Sequence, residues 1–336
     1  MQIGRLYTAA IVAAVAAALI APEAFVRWGG IELRDPRVVL VIVQLVMFGM
    51  GSQMRFADFV GVIREPRGVL VGLACQFTIM PLLGWALARL CGFPDEIAAG
   101  VVLIGSCSSG LASNVMTYLA GANLTLSVTV TACATLLSPL VTPLLMKALA
   151  GRLVEMSMAS MMLSIVQIVL VPVGAAFLLE AIVGAVPRTR PIWEAIRRGL
   201  PFLSMAGIVF FTAVTTAAGR EELLRVGPLL LLACIVHNCL GYLLGYAGSR
   251  LAGLDIPSAR AMALEVGLQN GGMASGIAGQ MGKLGTVGLA AAVFSPWMNI
   301  SGSVLAGYWA RRPVKDEPPA ADESAPERLT ASRSRP

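Results

Sequence analysis

Glu265 is the only Asp or Glu set deep within a long apolar stretch of this 336-residue chain, and it is followed by Val266-Gly267-Leu268-Gln269-Asn270-Gly271-Gly272. A carboxylate at the centre of a bilayer costs roughly 3 kcal/mol on insertion scales, so something must neutralise it. The nearest cationic side chain, Arg260, stands close to the expected helix end. A bound cation or a proton is therefore the expected partner. Two groups of oxygen donors can share that role. The first joins Ser113, Asn114, Ser127 and Thr131 to Glu265; Ser127 and Thr131 are spaced i, i+4 and so lie on one helix face. The second joins Gln76, Gln269 and Glu265 to backbone carbonyls freed near Val266 and Leu268. Such hard donors suit Na⁺ or another hard cation and disfavour metals that want thiolate or imidazole. Two monovalent cations sharing one carboxylate leave a net positive pocket. An organic anion is then attracted, and cation and anion binding reinforce each other.

Both groups converge on segments that read as interrupted helices. One is Gly105-Ser106-Cys107-Ser108-Ser109-Gly110-Leu111-Ala112-Ser113-Asn114, the other Glu265 to Gly272. Unwound backbone exposes carbonyls to a cation, and half-helix N-termini face an anion. The interruptions belong to a repeat. Leu82-Leu83-Gly84, Arg89-Leu90 and Gly92 recur as Leu243-Leu244-Gly245, Arg250-Leu251 and Gly253 at a fixed offset of 161 residues, which also sets Gln76 opposite His237, the only histidine. Gly-interrupted spans at corresponding places in two halves point to a transporter site at the bilayer midplane.

The chain is 57% hydrophobic and 13% charged, against about 25% charged in soluble domains. Apolar windows long enough to cross a hydrocarbon core recur along it, at 5–22, 36–50, 67–90, 95–120, 123–149, 157–183, 199–218, 227–252, 257–281 and 286–310. The expected fold is thus all-α and membrane-embedded, with ten transmembrane helices. An odd number of spans per half inverts the second half relative to the first. Residues 313–336, rich in Pro, Ala, Glu, Ser and Arg, are expected to be disordered. Thirteen loop Arg and Lys on the side of the termini against nine on the other place both termini in the cytoplasm. The net charge of +6 is scattered through loops and implies no nucleic-acid partner, and no protein partner is inferred. The six cysteines show no C-x-x-C or metal-ligand spacing and read as small apolar residues.

Plainer readings accompany these. Serine and threonine in membrane helices often bond their own backbone, and His237 reads as an interior histidine. An intramembrane serine hydrolase using Ser108 or Ser109 with His237 is a remote alternative, opposed by the absence of G-x-S-x-G at that turn. A proton-coupled or exporting carrier is another alternative, with Glu265 titrating.

The stretches Leu111 to Ala120, Leu126 to Thr131, Leu137-Ser138-Pro139-Leu140-Val141-Thr142-Pro143, Glu265 to Asn270 and Asn299-Ile300-Ser301-Gly302-Ser303 stand in an order and spacing that resemble the bile acid:sodium symporter family over about residues 5–310. The resemblance implies two inverted five-helix repeats in which helices four and nine are broken and cross. It implies a panel domain from 1–50 and 157–218 and a core domain from 67–150 and 227–310. It implies two Na⁺ sites, one at Ser113, Asn114, Ser127, Thr131 and Glu265, the other at Gln76, Glu265, Gln269 and the carbonyls of Val266 and Leu268. Candidate substrate contacts are Gly110, Leu111, Asn114, Asn270 and Asn299. Bacterial relatives often carry Pro-Gly-Gly-Thr where Ser108-Ser109-Gly110-Leu111 stands here, so the substrate surface departs where the cation positions do not. The implied activity is sodium-driven import of an organic anion across the cell inner membrane. That anion is bile-acid-like, or a small carboxylate metabolite such as pantoate or a keto acid.

Overall fold

The computed structural model describes residues 2–54, 61–155, 157–184 and 190–314; most of the 313–336 tail lies outside the described residues. Nearly all regular structure is helical. In chain order α1 spans Gln2–Ile20, α2 Glu23–Val26, α3 Pro36–Gly51, α4 Gly61–Arg64, α5 Pro66–Cys91, α6 Asp95–Ser106, α7 Leu111–Leu119 and α8 Leu124–Ala150. Then come α9 (Met158–Ile165), a π turn (Val166–Leu170), α10 (Val171–Gly184), α11 (Arg190–Ala218), α12 (Arg220–Leu251), α13 (Ile256–Gly267), α14 (Gly271–Gln280) and α15 (Leu289–Ala310). A two-residue hairpin, β1 (Arg27–Trp28) with β2 (Ile31–Glu32), sits between α2 and α3. Among the described residues, six helical runs are long and apolar enough to cross a membrane, and Ala9–Ile20 and Pro36–Gly51 are shorter apolar helices. The chain is an integral membrane protein.

Two boundaries differ from the apolar windows. The helices expected from 199 and 227 begin at Arg190 and Arg220. Their added turns, Arg190 to Arg198 and Arg220 to Arg225, are charged. Apolarity marks where a helix meets hydrocarbon. Helix formation continues past it wherever charges can reach water.

The 161-residue repeat is built into the backbone. Both α6 and α13 are 12-residue helices, starting at Asp95 and Ile256 and ending at Ser106 and Gly267. Gly92 and Gly253, which follow α5 and α12, have φ of 60° and 79°; Gly121 and Gly282, which follow α7 and α14, have 60° and 68°. Each pair is 161 residues apart. Only glycine enters this left-handed region without a Cβ penalty, so the same chain reversals are written twice in the same residue type.

Packing divides the helices. α5 lies along α6, α8 and α12, and α12 also packs on α13 and α15; α11 packs on α1 and α3, and α3 on α10. Small residues permit the closest approaches. A Cβ at Gly84 would sit 2.7 Å from the carbonyl of Val101, and one at Gly105 would sit 2.5 Å from that of Met80, so α5 and α6 meet backbone to backbone. Proline opens α8 instead. Pro139 cannot donate to the carbonyl of Thr135, and the Ser138 hydroxyl takes that carbonyl at 2.7 Å. The π turn likewise presents the Gln167 carbonyl to Gln44 Nε2 at 2.9 Å.

Candidate functional site

The interruptions at 107–110 and 268–270 meet. The Asn270 amide donates to the carbonyl of Ser108 at 2.9 Å, and Ser109 pairs with Gln269 as an isolated antiparallel bridge. Freed carbonyls in a membrane interior cost several kcal/mol each unless they find donors. Here neighbouring side chains supply them. Thr142 Oγ1 donates to Ser106 O at 2.8 Å, Gln76 Nε2 to Cys107 O at 2.9 Å, Asn238 Nδ2 to Gly267 O at 2.8 Å, and Gln269 Nε2 to Val266 O at 2.7 Å. The amides of Gln76 on α5 and Asn238 on α12 thus do the same job in the two halves. His237, which the offset sets opposite Gln76, does something else. Its Nε2 meets the Met80 carbonyl at 2.9 Å and its ring lies edge-on to Phe294. Asn238, beside the lone histidine, carries no sequence signal of its own.

Glu265 is fully buried at the end of α13. Ser109 Oγ donates to its Oε2 at 2.5 Å, Ser127 Oγ donates to Oε1, and Thr131 Oγ1 lies 3.0 and 2.9 Å from the two oxygens. Asn114 Oδ1 sits 2.8 Å from Ser127 Oγ and 3.2 Å from Thr131 Oγ1; Ser113 Oγ is 3.5 Å from Thr131 Oγ1 and bonds Gly110 O at 2.7 Å. The first group of predicted residues is therefore gathered in one place, with Ser109 and Thr117 added, the latter 3.2 Å from Ser127 Oγ. Each hydroxyl has one proton to give. Thr131 faces two carboxylate oxygens and one amide oxygen, and Ser127 faces a carboxylate and an amide oxygen. The cluster holds more lone pairs than protons.

The second group is gathered differently. Gln76 Nε2 donates to Gln269 Oε1 at 3.0 Å, and Gln269 in turn bonds the Val266 carbonyl. Gln76 Oε1 is buried with no hydrogen-bond partner among the described residues, although a buried amide oxygen without a donor is costly. Leu268 lies in the interruption with extended backbone, φ −101° and ψ 112°. Among the described residues the Glu265 carboxylate is hydrogen-bonded by Ser109, Ser127 and Thr131, and not by Gln76 or Gln269.

The substrate candidates separate. Leu111 and Asn270 line a small cavity with Ser109, Thr131, Met47 and Met50. Gly110 adjoins it, since a Cβ there would lie 3.5 Å from Met50 Cε and 3.7 Å from Asn270 Cα. Asn270 also caps α14, accepting from the Met273 amide at 3.0 Å. Asn114 points into the hydroxyl cluster around Glu265 rather than the cavity. Asn299 bonds Ser295 O within α15 at 2.7 Å. The methionine wall on α3 leaves no sequence signal, because Met47 and Met50 read as ordinary packing residues. Ser108, Ser109 and His237 form no hydrogen bond with one another. Ser109 serves Glu265, and Ser108 Oγ lies 3.8 Å from Met273 Sδ.

The family profile described as "Sodium Bile acid symporter family" matches residues 40–226. Over 280 residues the chain is 40% identical to a sodium-dependent transporter of Bacillus subtilis (strain 168), YocS, covering 83% of this chain and 85% of that one. A probable sodium/metabolite cotransporter of Arabidopsis thaliana, chloroplastic BASS1, is 32% identical over 83% of this chain and 68% of its own. The ileal sodium/bile acid cotransporter of Homo sapiens is 30% identical over 69% and 66%.

Proposed function

The chain belongs to the sodium bile acid symporter family, and on that premise we propose that it is a secondary transporter in which inward sodium flow drives uptake of an organic anion. The buried Glu265 carboxylate carries the reading. It sits in a nest of oxygens short of protons, where two interrupted helices meet. One Na⁺ is held by Ser113, Asn114, Ser127, Thr131 and Glu265. A second is held by Gln76, Gln269, Glu265 and the carbonyls of Val266 and Leu268; the unpartnered Gln76 Oε1 supports it. Rotation of Glu265 between the groups lets one carboxylate serve both.

The anion binds in the cavity beside Gly110, Leu111 and Asn270, next to the N-termini of α7 and α14, where positive charge is exposed. Asn114 and Asn299 complete the contacts once the cavity widens. Ten crossings in two inverted halves follow if α6 with α7, and α13 with α14, each count as one broken span. The core is α5 to α8 with α12 to α15, and the panel is α1, α3, α9, α10 and α11. The substrate cavity is lined from both groups: by Met47, Met50, Val169 and Val173 on one side, and by Ser109, Leu111, Thr131 and Asn270 on the other. Alternating access is then relative motion of the two groups about this seam. Both termini face the cytoplasm, and the membrane is the cell inner membrane. The relatives' names span bile acid and metabolites, and we assign the substrate here to the carboxylate class, bile-acid-like or smaller.

Reconstituted protein with an inward sodium gradient, offered taurocholate, pantoate and short keto acids in turn, tests this. At least one should accumulate only with sodium, and Glu265→Ala should remove that uptake. Accumulation driven by a pH gradient in sodium-free buffer would move the assignment to a proton-coupled carrier.

A further inference from the structure

One end of the molecule carries arginines that the transport reading leaves unused. Arg67 opens α5, Arg250 closes α12, Arg260 lies on α13, and Arg311 and Arg312 follow α15. The contacts tie Arg67 and Arg250 to the 252–254 turn and Arg260 to Arg312. Arg67 Nη2 donates to Ala252 O at 2.6 Å, Arg250 Nη1 to Leu254 O at 2.6 Å, and Arg260 Nη1 to Arg312 O at 3.0 Å. Each of these bonds uses one N–H of a five-donor guanidinium, so most donors stay free. None of the five forms an ion pair with a carboxylate among the described residues. Two acids at this end hydrogen-bond to other groups: Glu65 accepts from Asn123 at 2.9 Å, and Asp255 caps the Ser258 amide at 2.8 Å.

Aromatic rings surround the same arginines. Arg260 lies over Trp309 at 5.6 Å, Arg312 lies over Tyr308 at 4.5 Å, and Tyr246 packs on Trp309 at 6.3 Å. Tryptophan and tyrosine concentrate where the bilayer meets water, so these guanidiniums sit at headgroup depth. An apolar stripe on α15 leads to them: Ile300, Val304 and Tyr308 are spaced i, i+4 and all exposed, Val304 by 70%.

We propose that Arg260 and Arg312, with Arg67, Arg250 and Arg311 at the same end of the molecule, form a binding site for one anionic glycerophospholipid. The phosphate is held by the guanidiniums and an acyl chain lies along Ile300, Val304 and Tyr308. Charge complementarity selects the lipid class. A zwitterionic headgroup brings its own ammonium and gains little from five cations, whereas phosphatidylglycerol brings net negative charge. The rings orient the guanidiniums, and the carbonyl bonds fix them on the helix ends. This site is independent of the sodium nest.

Native mass spectrometry of the full-length protein, with phosphatidylglycerol and phosphatidylcholine added in equal amounts, tests it. Phosphatidylglycerol should be retained in preference, and retention should fall between low and high salt. The double substitution Arg260→Gln and Arg312→Gln should weaken retention by about fivefold for each guanidinium removed, with Arg260→Lys and Arg312→Lys largely restoring it. Arg89→Gln, on an arginine that stacks on Trp85 instead, should change nothing. Equal retention of the two lipids overturns the proposal. So does salt-independent retention in the wild type, which needs no variant to fold. Displacement of the lipid by millimolar inorganic phosphate would show a simple anion site instead.

Discussion

The two interruptions share a backbone and differ in chemistry. Helices of equal length enter them, they sit 161 residues apart, and one amide on a neighbouring long helix, Gln76 or Asn238, holds an end carbonyl in each. Yet Glu265 has Ile104 as its counterpart at the repeat offset, and Ser113, Ser127 and Thr131 have Ala274, Gly288 and Ala292. Ile104 is fully buried among apolar neighbours. Repetition supplies the frame, and divergence supplies the charge. A frame that hides carbonyls by side-chain donors tolerates either a carboxylate or an isoleucine at the same place; only the surrounding hydroxyls decide which is affordable to bury.

That contrast can be broken most severely at Glu265. Wild-type protein should gain thermal stability with added sodium by mass action, about 2.7 kcal/mol at a hundredfold excess over Kd, and Glu265→Ala should show no sodium-dependent rise in Tm. A sodium response of normal size in that variant would remove the carboxylate from the site. Next in size, Thr131→Val deletes an oxygen bonded to a charged group, so sodium affinity should drop about tenfold or more. Its counterpart, Ala292→Thr, should leave affinity unchanged; sodium titrations followed by Tm compare the two.

Gln76→Ala and Asn238→Ala should each cost about 1–3 kcal/mol by stranding a buried carbonyl. In choline buffer the two losses should match, while only Gln76→Ala should also weaken the sodium response. Unequal losses in choline would show that the two amides are not equivalent. The smallest effect tests the frame alone. Gly121→Ala and Gly282→Ala, both at positive φ with nothing within 4 Å of the added Cβ, should each cost about 1 kcal/mol, equal within error in urea or thermal unfolding.

Much of this was legible beforehand for physical reasons. A carboxylate in an apolar run is conspicuous because burial is costly, and glycine marks both interruptions because unwound, closely packed backbone needs it. The grouping of Ser127 with Thr131 followed from helical spacing alone. Other features left no such trace. Ser109 serves Glu265 through the pairing of two distant chain segments that no local spacing reports. Asn238 is one asparagine in an ordinary apolar helix until the Gly267 carbonyl is placed beside it. The charged first turns of α11 and α12 escaped because hydropathy measures the solvent around a helix and not its length.

The pairing of Ser108 and Ser109 with Asn270 and Gln269 also bears on biogenesis. The first interruption leaves the ribosome some 161 residues before the strand that completes it. Until then, the Ser108 carbonyl lacks its main-chain donor, and Ser109 has no acid to serve. Insertion of the early spans therefore yields an unfinished half that must be kept from lipid, or from the wrong neighbour, for the time needed to translate the rest. Consolidation of the centre is a late, post-insertional event, and truncations ending before Asn270 should be quality-control substrates rather than small transporters.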